Sequence, residues 1–207
     1  MEVPQFNTHP WMIAFLLIAT AIHSTPSGAP DGETSLATLA AGCFWCIEAD
    51  LEKVEGVLSV TSGYTGGTVA NPTYKQVSAG KTGHTEAVRV VFDPRVISYE
   101  ELLAIFWRNV DPTVADRQFC DVGEQYRAGI FYHDEGQRVA AEKSRASLER
   151  TKPFSNPIVT EITAATAFYP AKAYHQDYYK KNPIRYSYYR KTCGRDQRLK
   201  EIWGEKP

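Results

Sequence analysis

Hydrophobic and polar positions switch period along this chain, and each switch marks an element. Ser35 to Ala41 is a short apolar run that predicts a buried strand. It leads through Gly42 into a helix predicted over Cys43 to Val54, whose Glu48, Asp50 and Glu52 complement the helix dipole. Val57 to Tyr64 alternates as a strand and ends at Gly63-Tyr64-Thr65-Gly66-Gly67, a loop with unusual backbone freedom. Gly80 to Glu86 is polar, and Ala87 to Phe92 is a second strong strand stopped by Asp93-Pro94. Ser98-Tyr99-Glu100-Glu101 has the form of a capping box and starts a helix ending near Asn109. Then come a polar loop from Asp111 to Glu124, a strand over Ala128 to Tyr132 and a charged helix over Asp134 to Arg150 with an Ala/Val/Leu face. A strand over Ile158 to Ala164 precedes a tail from Phe168 onward, aromatic and basic, without clear period.

Strands interleaved with helices in this order predict an α+β two-layer sandwich, with helices packed on a mixed sheet. No internal repeat or further domain boundary interrupts residues 31–207. The first thirty residues differ. Trp11 to Ile22 is uncharged and apolar, and His23 to Gly32 is rich in Ser, Thr, Pro and Gly. The apolar run suits the core of a signal peptide and is short for a membrane span. Ala19-Thr20-Ala21 offers a small-x-small cleavage pattern, although Met1 to Pro10 contains Glu2 and no Lys or Arg. The expectation is a signal peptide and linker over 1–30, one folded domain over 31–207, and a periplasmic or secreted protein with no stable membrane association after cleavage. A leader that does not function would leave the protein in the cytoplasm. The default assembly is a monomer.

Composition narrows the function. Lys and Arg total 23 against 24 Asp and Glu, so the chain lacks the basic excess that nucleic acid demands. The tyrosines crowded between Tyr174 and Tyr189 are therefore read as packing under the tail and not as a base-stacking platform. Cysteine chemistry changes the picture more. Cys43 opens a predicted helix, where free N–H groups and the helix dipole favour the nucleophilic thiolate. Phe44 and Trp45 stand beside it and suit a small apolar group presented to that sulfur. Cys43 and Cys46 have the spacing of a redox pair. Zinc is not expected, because Cys120 and Cys193 stand alone and the chain has no His-x₃₋₅-His.

Five blocks in order then resemble one family. They are Gly42-Cys43-Phe44-Trp45, Gly63-Tyr64-Thr65-Gly66-Gly67, Gly83-His84-Thr85-Glu86-Ala87, Asp121-Val122-Gly123-Glu124-Gln125-Tyr126-Arg127, and Phe168-Tyr169-Pro170 with Tyr174-His175-Gln176. Together they resemble the peptide-methionine sulfoxide reductases of the A class, from about Ser35 to the C-terminus. The resemblance implies a ferredoxin-like core and thiol-based reduction of methionine S-sulfoxide, free or in proteins. It implies no metal or organic cofactor, with electrons supplied by thioredoxin or a thioredoxin-like donor.

Carried over residue by residue, the resemblance makes Cys43 the nucleophile and Glu86 the acid that protonates the departing oxygen. That role requires Glu86 to stay protonated in a dry pocket. Tyr64 and Tyr126 match the tyrosines that hold the sulfoxide oxygen, Asp121 the acidic residue beside them, and Phe44 and Trp45 the wall around the ε-methyl group. His84 and His175 are read as structural. Attack leaves Cys43 as a sulfenic acid, which a second thiol condenses to a disulfide. Cys46 and Cys193 rank equally for that task, ahead of Cys120, and either bond could pass oxidation on by exchange. Two rival readings remain: a thiol peroxidase or disulfide exchanger using Cys43 and Cys46, and a secreted non-enzymatic domain stapled by disulfides.

Overall fold

In the computed structural model the chain divides into Met1–Pro30 and Asp31–Pro207. Residues 1–2 and 34–204 are described, so the expected leader, with its apolar Trp11 to Ile22, lies outside the described residues. In chain order the elements are strand β1 (Ser35–Ala41), helix α1 (Phe44–Leu51), β2 (Val57–Thr65), α2 (Tyr74–Ser78), β3 (Thr85–Phe92) and α3 (Tyr99–Trp107). There follow β4 (Arg117–Gln118), β5 (Asp121–Val122), a 3₁₀ turn (Glu124–Tyr126), β6 (Ala128–Tyr132) and α4 (Glu135–Thr151). The chain closes with β7 (Glu161–Ala164), β8 (Tyr169–Pro170), α5 (Tyr178–Lys181), α6 (Pro183–Thr192) and α7 (Arg195–Trp203).

Among the described residues the main sheet runs β7-β6-β1-β3-β2-β8, and β4 pairs with β5 in a small ribbon. β1 is antiparallel to both β3 and β6, β2 is antiparallel to β3, and β6 is parallel to β7. β1-α1-β2 and β3-α3-β6 are thus two interleaved βαβ units, the ferredoxin-like arrangement. The expected α+β sandwich, a mixed sheet with helices packed on it, is what the chain forms.

Alternation fixes the core. Ala37, Leu39 and Ala41 of β1 point to the helices, joined by Val88, Val90 and Phe92 of β3. Phe44, Ile47 and Leu51 of α1 recur at helical spacing and pack on that face with Leu102, Leu103 and Phe106 of α3. The opposite side of α1 is also covered: Cys46 and Ala49 lie under Tyr178, Tyr179, Tyr186 and Tyr189 of the tail. Both sides of α1 are therefore shielded from water.

Several boundaries differ from expectation. α1 stops at Leu51 and not near Val54, where a turn lets the chain reverse into β2. β3 begins at Thr85 because the ladder with β2 continues through Tyr64↔Glu86 and Thr65↔Thr85. The tail, which had no legible period, contains α5, α6 and α7, broken at Asn182-Pro183 and at Gly194 (φ +70°). α2 was not anticipated.

Candidate active site

The turn from β1 to α1 aims the nucleophile. Gly42 sits at φ +79°, and a Cβ there would collide with the side chain of Gln118. Gln118 is held in turn by its amide, which donates to the Asp111 carbonyl and accepts from the Asp111 N–H. From the other side Arg195, 1% exposed, donates to the carbonyls of Ala41 (3.0 Å) and Asn109 (2.7 Å). Cys43 is consequently presented at the head of α1, buried but at the edge of a small cavity.

That cavity, about 80 Å³, is lined by Cys43, Phe44, Trp45, Tyr74, Glu86, Asp121, Tyr126 and Tyr189. Glu86 reaches it from β3 and accepts the Phe44 N–H at 3.0 Å. Burial raises its carboxyl to about 8, against an ordinary 4.5, even though that hydrogen bond favours the charged form. Glu86 is therefore a neutral acid at neutral pH. Asp121 is also raised by burial, while the Tyr189 hydroxyl that donates to it and the Arg195 charge pull the other way. Tyr74 is pushed up to about 12 by burial and the neighbouring Glu86, and Tyr126 is raised for the same reasons. Both phenols are neutral donors facing one small space.

The two buried thiols behave as a pair. Cys43 and Cys46 hydrogen-bond to each other; burial raises Cys43, whereas the bond from Cys43 and the charges of Arg195 and Arg190 lower Cys46. Of the two, Cys46 is therefore the more readily ionised, and Cys43 holds its proton the more firmly. This reverses the expectation that the head of the helix alone would make Cys43 the resting thiolate; loss of water outweighs the dipole there.

The expected residues are distributed as follows. Cys43, Phe44, Trp45, Glu86, Asp121 and Tyr126 converge on the cavity. Tyr64 does not line it. Tyr64 stands across the ladder from Glu86 but packs its ring on Phe44 at 5.9 Å, and its buried hydroxyl has no hydrogen-bond partner among the described residues. Tyr74 occupies the position expected of it. Tyr189, also missed, joins Tyr74 in the lining from α6. Tyr74 had a signal: Thr73 and Gln76 form a full capping box, so Thr-x-x-Gln announces a helix whose first residue is Tyr74. Tyr189 had none beyond the tyrosine-rich tail.

The histidines are structural in their contacts. His84 accepts from the Gly67 N–H and its other nitrogen lies 2.8 Å from the Val69 carbonyl, pinning the glycine-rich loop. His175 is lowered to about 4 by burial, and its Nδ1 accepts from Trp45 Nε1 at 3.2 Å, so it is neutral and orients the indole. Trp45 also stacks on Tyr178 at 3.8 Å.

Cys120 and Cys193 are joined in a disulfide, and Cys43 and Cys46 are free. The Cys193 sulfur lies 4.0 Å from Asp121, at the margin of the cavity, and Cys120 is exposed. Of the expected resolving candidates, only Cys46 is a free thiol here. Cys120, Asp121 and Cys193 also group closely enough for a metal, but the disulfide leaves only the Asp121 carboxylate to ligate one.

Residues 35–207 match the sequence profile of a family described as peptide methionine sulfoxide reductase. A peptide methionine sulfoxide reductase MsrA of Bacillus licheniformis is 50% identical over 171 residues, 83% of this chain and 94% of that protein. An MsrA/MsrB protein of Vibrio cholerae is 54% identical over 168 residues; the match covers 81% of this chain but 44% of that longer protein. Among solved structures, reduced Mxr1 of Saccharomyces cerevisiae superposes with a TM-score of 0.70 at 33% identity, covering 74% of this chain and 88% of that one. Mxr1 in complex with Trx2 matches at 25% identity and a TM-score of 0.51, covering 72% and 86%.

Proposed function

The chain belongs to the peptide methionine sulfoxide reductase family, and from that premise we propose how its residues reduce methionine S-sulfoxide, free or in proteins. One observation carries the reading: a neutral buried acid, Glu86, and a nucleophilic sulfur, Cys43, line the same 80 Å³ cavity. The Cys43 sulfur bonds to the sulfoxide sulfur while the oxygen takes the Glu86 proton, and the proton leaving Cys43 replaces it. Tyr74 and Tyr126 donate hydrogen bonds to the oxygen as its charge grows. Phe44 and Trp45 enclose the methyl group, and Asp121, tied to Tyr189, sits beside them. The hydroxyl then passes to Cys43, leaving a thioether reduced by two electrons and a sulfenic acid oxidised by two.

Cys46 attacks that sulfenic sulfur; hydroxide leaves and is protonated to water, and a Cys43–Cys46 disulfide forms. Support for Cys46 is its hydrogen bond to Cys43 and its lowered pKa. Exchange with the reduced Cys120/Cys193 pair would restore both inner thiols and produce the outer disulfide. Two electrons and two protons from thioredoxin or a similar protein then reopen it, in keeping with the complex of yeast Mxr1 with Trx2. The apolar segment Trp11 to Ile22 supports export to an oxidising compartment, where the donor would be thioredoxin-like. A monomer is proposed as the working unit.

Each epimer of methionine sulfoxide, incubated with the protein and dithiothreitol, tests the reading. Turnover of the S form alone is expected, abolished by Cys43→Ser. Turnover of neither epimer, with consumption of hydrogen peroxide, would favour a thiol peroxidase. Mapping disulfides after one turnover of the pre-reduced protein should find Cys43–Cys46 first; Cys43 bonded to Cys120 would overturn the proposed order. N-terminal sequencing of the mature protein checks the leader, and a retained Met1 would remove the case for export.

A further inference from the structure

A second concavity adjoins the catalytic one. It measures about 470 Å³ and is lined by Trp45, Tyr178, Ile184, Arg185, Tyr188 and Tyr189. That volume is in the range of a small-ligand site, whereas 80 Å³ accommodates little more than the sulfoxide group. Everything else in a polypeptide substrate must run over the rim, and Trp45 and Tyr189 belong to both cavities. We propose that this groove binds a large apolar side chain two or three residues away from the methionine sulfoxide in an extended polypeptide. The proposal rests on the reductase reading and specifies its macromolecular substrate.

Four observations favour this occupant. Ile184 and Tyr188 stand one turn apart on α6 and are 84% and 73% exposed; among the described residues only the terminal Met1 exposes more of a large hydrophobic side chain. Such apolar surface beside a reaction site marks a contact surface. The two cavities share their lining rings, and Trp45 and Tyr189 lie only 5.9 Å apart, about the length of two residues of extended chain at ~3.3 Å each. The wall is also already ordered by the Trp45–Tyr178 stack and the bond from Trp45 to His175, so little freedom is lost on binding. Finally, the reductant's target lies elsewhere. Cys193 lines a separate cavity with Asp111, Val114, Arg117, Phe119 and Arg198, which shares no residue with the groove. Arg185 makes no ion pair among the described residues and would favour an acidic neighbour in the bound segment.

The test compares capped peptides in which methionine S-sulfoxide is flanked by glycines alone or carries one Leu two or three positions to either side. Dithiothreitol serves as reductant and free methionine S-sulfoxide as the control. One Leu position should raise kcat/KM about tenfold. The double variant Ile184→Ser/Tyr188→Ser should lose that gain while turning over the free amino acid at the wild-type rate, which also reports that it is folded. Equal rates for Leu and Gly peptides, or a Leu preference that survives the double variant, would overturn the proposal. So would a double variant whose defect appears only with thioredoxin as donor, since the groove would then dock the reductant. Absence of turnover of the free amino acid by the wild type would be a different failure, that of the reductase reading itself.

Discussion

Glu86 has to be neutral to serve as an acid, and its burial has a cost that pH reveals. Its folded value is about 8 and its ordinary value 4.5, so between those limits the folded state holds a proton that the unfolded state has released. Stability associated with Glu86 is complete below pH 4.5 and declines as pH rises toward 8. At 1.36 kcal/mol per pH unit the loss reaches about 3 kcal/mol by pH 7. Glu86→Gln keeps an acceptor for the Phe44 N–H but no ionisation. Urea unfolding should find it equal to the wild type near pH 4.5 and increasingly more stable toward pH 8. Its turnover should fall by about 10²–10⁴, with the deficit growing between pH 5 and 8 as external acid becomes scarce. Unchanged activity would remove Glu86 from the reaction. The tyrosines give a second contrast. Tyr74→Phe and Tyr126→Phe should each lower kcat/KM by roughly 10- to 100-fold through a lost donor. Tyr64→Phe, which deletes a buried hydroxyl without a partner, should leave kcat/KM unchanged and unfold no more easily than the wild type.

At the level of elements, the site depends on α2, a five-residue helix that carries Tyr74 at its first position. Its N-terminus is held by the reciprocal Thr73–Gln76 cap, so Thr73→Ala should cost about 1 kcal/mol. Because Tyr74 follows directly, the same change should reduce turnover with little effect on the fold, readable as a drop in kcat at near-wild-type Tm. The sheet and its large helices were legible because their periods are strong: Ala87 to Phe92 alternates, and Ser98 and Glu101 cap α3 as their spacing announces. Tyr64 stands in a glycine-rich segment that reads as a loop, yet it continues β2, and its parity along that strand sets where its ring goes. Val60, Ser62 and Tyr64 share one strand face, and Val60 and Tyr64 both belong to the core behind Phe44. The tail helices were hidden for another reason. α6 buries only Tyr186, and α7 opens on a buried Arg195, so Leu199, Ile202 and Trp203 at its end are too few to set a readable period over the tail.

Across the whole molecule, one guanidinium joins the two ends of the domain. Arg195→Met would leave the Ala41 and Asn109 carbonyls buried without their donors, at about 3 kcal/mol in urea unfolding. It would also remove a positive charge from the vicinity of Cys46, so the first thiol pKa of the inner pair should rise when alkylation is followed against pH. The pairing of cysteines could not be read from spacing, since Cys120 and Cys193 are 73 residues apart and meet only once α6 has folded back over α1.

The grip of Arg195 on Ala41 also bears on how the protein is made. The carbonyl that it holds lies two residues before the nucleophile, yet Arg195 is synthesised 154 residues after Ala41. A nascent chain would have its sheet and Cys43 long before it had the clasp that sets the aim of that sulfur. Full reactivity would thus be withheld until the stretch carrying Arg195 has been made and has docked on Ala41.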